Sequence, residues 1–169
     1  MPLKNPKSIP KIPKTRKKKA LSAIDLIPQP KPDKIEYVCK TYFKYEMPTK
    51  KQYCVIAVET VTAFANFAYE ISIEWLRDKR EINILLAGLK AKTNMVPMVQ
   101  PAKKEIFFED LVGEYIINII KQDGAINTGV FKFNIFNKEI KLIKNFKPKK
   151  KNNRFFCEFK VEEEEFNFN

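Results

Sequence analysis

At 169 residues, with 44% hydrophobic side chains and fourteen phenylalanines, the chain has material for one domain with a real core plus extensions, which excludes wholesale disorder. The complete lack of histidine excludes histidine triads, histidine general bases and histidine metal sites. Lysine and arginine number 32 against 20 acidic residues, a formal net charge of +12, and a surplus of that size favours polyanionic partners such as nucleic acid, an anionic membrane surface or an acidic protein face.

Residues 1–34 form the first segment, a basic arm. They hold seven of the eleven prolines, no aromatic residue, and ten cations against Asp25 and Asp33. Prolines at this density block helices and sheet ladders and favour extended conformations. Such a segment buries too little apolar surface to offset its ordering entropy by itself. Within it, Ala20–Ile27 is a short apolar patch suited to docking, and Pro10-Lys11-Ile12-Pro13 is a PxxP element of the kind that fills aromatic grooves.

From Ile35 the period changes to two. Ile35, Tyr37, Cys39, Thr41, Phe43 and Tyr45 alternate with more polar positions, the pattern of a half-buried strand. Met47–Gln52, with Pro48, reads as a turn. Tyr53–Leu76 fits two strands with an irregular joint near Ala63–Asn66, although Val61, Phe64, Ala65, Ala68, Ile71 and Trp75 also trace a helical stripe. Its β-branched and aromatic content favours strand. Arg77–Arg80 reads as a four-residue hairpin loop, Ile82, Ile84 and Leu86 resume the alternation, and residues 91–104 read as a loop carrying two prolines. Strands are then expected at Glu105–Glu109, Tyr115–Gln122, Val130–Phe136, Glu139–Ile143 and Phe155–Val161, with Asp123-Gly124 as a hairpin turn. The expected organisation is a basic arm over 1–34, an all-β antiparallel sandwich over 35–161 and an acidic, aromatic tail over 162–169.

Leu111-Val112-Gly113-Glu114-Tyr115 stands directly before an alternating strand. This stretch resembles the tyrosine corner of immunoglobulin-like and fibronectin type III sandwiches, in which a tyrosine hydroxyl bonds back to upstream backbone. The resemblance covers roughly residues 105–143 and implies an immunoglobulin-like fold. It implies nothing about function. The chain lacks the cysteine–tryptophan–cysteine pattern of antibody-type domains, since Trp75 is its only tryptophan.

Two clusters are candidate partner-binding elements. Arg16, Lys17, Lys18 and Lys19 lie side by side in the arm, where each can approach a phosphate and release counterions. Lys147, Lys149, Lys150, Lys151 and Arg154 form a second cluster with no acidic residue near it in sequence. Of the 32 cations 28 are lysines, which lack the planar fork that reads base edges, so loose phosphate contact is favoured over sequence-specific readout. The acidic run Glu162–Glu165 is a candidate to neutralise the second cluster. Cys39, Cys54 and Cys157 are odd in number, lack CxxC spacing and read as buried small hydrophobes.

No Gly-rich phosphate loop, cofactor motif or metal-ligand spacing is present in the sequence, so no catalytic residue and no cofactor are expected. No apolar run of membrane-spanning length and no signal-type apolar region follows the basic N-terminus, which implies an intracellular setting or the interior of a particle. The expectation is a non-catalytic structural component of a large assembly, by analogy a virion capsid or tail protein anchored through its arm to other protein subunits. The alternative is an RNA- or DNA-binding protein such as a ribosome-associated component.

Overall fold

Alternating segments become nine strands in the computed structural model, which describes residues 31–93 and 98–169. In chain order these are β1 (Tyr37–Glu46), β2 (Lys51–Phe64), β3 (Tyr69–Asp78), β4 (Glu81–Ala91), β5 (Gln100–Phe108), β6 (Gly113–Lys121), β7 (Ile126–Asn134), β8 (Glu139–Phe146) and β9 (Cys157–Val161), followed by one 3₁₀ turn at Glu163–Glu165. The ambiguous stretch is strand on both sides of a bend at residues 65–67. The Arg77–Arg80 loop is tighter than expected, because β3 and β4 run on until only Lys79 and Arg80 turn, with Lys79 at φ +52°. Ladder pairing similarly shortens the 91–104 loop: Pro101 lies inside β5, opposite Ala63.

The strands make two sheets, ordered β5-β2-β1-β9 and β3-β4-β6-β7-β8. Most pairings are antiparallel, but β1 pairs with β9, and β4 with β6, in parallel. Parallel neighbours need a crossover, and here β5 supplies one by leaving for the other sheet between β4 and β6. The expected all-β sandwich is therefore the fold, and its core lies between the sheets. Cys39, Phe43, Ile56 and Phe159 from one sheet meet Ile71, Ile84, Ile117 and Phe131 from the other. Rings stitch the two together, with Trp75 edge-on to Phe108 at 5.1 Å between centroids and Phe131 against Phe159 at 6.1 Å.

The three cysteines are buried and free, as their apolar surroundings in sequence suggested. Tyr115 opens the inward row of β6, and its hydroxyl accepts a hydrogen bond from Arg77 Nη2 at 3.0 Å. This bond ties β6 to the β3–β4 hairpin, whereas a tyrosine corner would tie it to upstream backbone. The chain after β9 packs onto the sandwich as well. Asn167 N–H donates to Phe43 O at 2.9 Å, and the Phe166 and Phe168 rings lie 5.1 and 5.4 Å from that of Phe43.

Candidate interaction surface

Arg16, Lys17, Lys18 and Lys19 lie outside the described residues. The second cluster is described, and the fold divides it. Arg154 is buried, with Nη2 2.9 Å from Asp123 Oδ2 and 3.8 Å from Glu36 Oε1. Lys147 sits 3.1 Å from Asp33 and over the Phe155 ring, and Lys150 Nζ donates to Gly124 O at 2.8 Å. Lys149, Lys150 and Lys151 are exposed and make no ion pair among the described residues. Lys147 and Arg154 have acidic neighbours, because Asp33, Glu36 and Asp123 are distant in sequence and close in space. The acidic run goes elsewhere too: Glu162 pairs with Lys40 at 3.1 Å and Glu165 with Lys103 at 3.7 Å.

Those pairs belong to the outer face of the four-stranded sheet, whose charges are satisfied within the chain. Glu59 bridges Lys40 and Lys103, and Glu105 accepts from Lys44, Lys103 and the buried Tyr42 hydroxyl, the last at 2.6 Å. Burial pushes the Glu105 carboxyl up, but hydrogen bonds from Tyr42, Lys103 and Lys44 outweigh it and hold its pKa at about 2. Burial and the Glu105 carboxylate push the Tyr42 phenol far above its ordinary value. These shifts keep the phenol neutral and the carboxylate ionised near neutrality.

The outer face of the five-stranded sheet is built differently. Register places Asp78, Glu81, Ile116, Val130 and Lys144 in one row across β3, β4, β6, β7 and β8. The next row is Leu76, Asn83, Asn118, Thr128 and Phe146, and beyond it lie Glu74, Leu85, Ile120 and Ile126. A polar ladder crosses the middle: Asn118 Nδ2 donates to Asn83 Oδ1 at 2.9 Å and to Glu81 Oε1 at 2.7 Å, and Thr128 donates to Asn118 Oδ1 at 2.6 Å. Around it Leu76, Ile116 and Phe146 are exposed, Leu76 to 68%. A shallow groove lined by Glu74, Leu76, Asn83, Leu85 and Ile120 runs over this face.

Charge on this face is sorted by position. The β3–β4 side carries Glu74, Asp78 and Glu81, the β7–β8 side carries Lys132, Lys141 and Lys144, and Glu114 stands between them on β6. Lys141 pairs with Glu139 at 2.7 Å. The other six make no ion pair among the described residues, and nothing described lies over them. Sequence reasoning missed this surface, although β6 carried a signal. Ile116-Ile117-Asn118-Ile119-Ile120 is apolar on both faces of one strand, which a sheet with one face in water does not need.

Among the described residues no group of three or more metal-ligating side chains comes together, and no helix is long and apolar enough to cross a membrane. Compared with protein-family models, with curated proteins and with solved structures, the chain matches none of them.

Proposed function

We propose that the chain is a non-catalytic structural component of a larger assembly, packing against other protein subunits through its five-stranded sheet and tethered by its basic arm. One observation carries this reading. The two outer faces of a single sandwich differ, one with its charges neutralised internally and the other with exposed leucine, isoleucine and phenylalanine between unpaired charges. Exposed apolar surface rimmed by charge is characteristic of interaction sites. The assembly we favour is a viral capsid or tail, where small β-sandwiches with extended arms recur, and that step is analogy. Two packed sheets are compatible with an immunoglobulin-like fold, while the parallel β4–β6 pair departs from the strand order of that fold.

The test is native fractionation of the full chain from the cells or particles that make it. Wild type should co-sediment with a large particle at fixed stoichiometry. Replacing Arg16, Lys17, Lys18 and Lys19 by glutamine should release it. A wild-type chain that sediments alone would overturn the reading. The Arg16–Lys19 cluster also favours a second reading, RNA or DNA binding, under which affinity for a mixed-sequence oligonucleotide falls steeply with salt and the quadruple variant flattens that slope.

A further inference from the structure

We propose that the outer face of the five-stranded sheet is the interface of a two-fold dimer of this chain with a second copy of itself, an inference that rests on the interaction-surface reading above. A closed dimer uses the same patch on both subunits, so the patch must complement itself under a two-fold rotation. Opposite charges on opposite sides of β6 meet that condition. An axis in the plane between two stacked faces, running along β6, lays β3 of one copy over β8 of the other and β4 over β7. The acidic side then lies over the basic side twice.

The register carries the match beyond charge. Asp78 and Lys144 stand in one row at opposite edges, so the rotation brings Asp78 over Lys144 of the second copy. Leu76 and Phe146 likewise share a row and meet across the axis. Leu85 comes over Ile126 of the second copy, and Ile116 and Ile120, both on β6, meet their own counterparts. Apolar side chains fall on apolar ones and Asp78 on Lys144, while Glu81 falls over Val130 and Glu114, on β6, over its own counterpart. Any other axis in this plane loses one of the two; turning it a quarter-turn, across the strands, stacks Glu74, Asp78 and Glu81 on the same acidic strands.

Size is sufficient, though modest. Five strands about 4.8 Å apart and about seven residues long present a face of roughly 600 Å² per copy, or about 1,200 Å² for the pair, at the lower end of specific interfaces. The aligned packing of twisted sheets, about 30° apart, is the geometry already used inside the sandwich class. The charges that this stacking pairs, Asp78 and Lys144, make no ion pair among the described residues of the single chain. The four-stranded sheet offers no comparable surface, since its outer carboxylates are held by Lys40, Lys44 and Lys103.

Sedimentation of the full chain tests this, from micromolar to millimolar concentration, at about 0.15 M salt, where screening beyond about 8 Å mutes repulsion between the basic arms. Wild type should reach twice its 19.8 kDa. The variants Asp78→Lys and Lys144→Glu should each weaken self-association by at least about tenfold, while an equimolar mixture restores a dimer. Both positions are exposed, and unchanged unfolding midpoints confirm folded variants. A monomeric wild type at every concentration, or a dimer indifferent to both swaps, overturns the proposal. Retention of the same variants in the native particle separates the two levels. If a monomeric chain loses retention on the swaps, a different protein holds the face and the functional reading stands. If retention is unchanged as well, both fall.

Discussion

Arg154 Nη2 lies 2.9 Å from Asp123 Oδ2, joining the segment before β9 to the β6–β7 turn, and the guanidinium also stacks 5.9 Å from the centroid of Phe156. A cation that reads in sequence as part of a surface patch is thus a bolt between the two sheets. Burial pushes the Asp123 carboxyl up, but bonds from Arg154 and the Ala125 N–H win and hold its pKa at about 2. Arg154→Met should destabilise the chain by about 1–3 kcal/mol in chemical denaturation. The cost is below that of a fully buried pair because both carboxylate side chains keep 33% exposure. Lys149→Gln, at an exposed and unpaired position, should leave stability unchanged.

Glu105 sets an acid limit on the outer face of the four-stranded sheet. Its folded pKa of about 2 is below the ordinary 4.5, so its contribution to stability is complete above pH 4.5 and is lost as pH falls towards 2. Glu105→Gln should lower the thermal midpoint by about 4 °C at neutral pH. The difference from wild type should shrink below pH 4.5 and vanish near pH 2, as followed by circular dichroism. A gap constant with pH would show that packing, not charge, is what Glu105 contributes.

Gly129 lies under the Phe159 ring where the sheets meet. A Cβ there would stand 2.6 Å from Phe159 Cδ1 and 2.8 Å from Phe131 Cε2, closer than atoms pack. Gly129→Ala should therefore destabilise the fold by about 1–3 kcal/mol through overpacking. Trimming the overlying ring in Gly129→Ala/Phe159→Leu should recover part of that loss, as a double-mutant cycle would measure.

The thiols should be inert in the native state. Burial pushes the Cys39 and Cys54 pKa values up to about 12 and raises that of Cys157 well above its ordinary range. The thiolate is the reactive species, so a thiol reagent at neutral pH should label no more than a trace of the folded chain and all three positions once denaturant is added. Rapid labelling of Cys39 without denaturant would contradict its burial.

Strand existence and face were legible in the sequence because the two-residue period is local: Tyr37, Cys39 and Phe43 point inward whatever they pack against. Asp123-Gly124 declared its turn for the same reason, and the positive φ of +82° at Gly124 is a property of one residue. Partnership was not legible. Whether Arg154 meets solvent or Asp123, whether Glu162 meets Lys147 or Lys40, and which strand lies beside β4 depend on chain segments dozens of residues apart. Composition and alternation determined that this is a sheet protein with a cationic leader. Only the tertiary structure decided which charges are consumed inside the sandwich and which are left over, because Coulomb energy depends on distance in space and the sequence records distance along the chain.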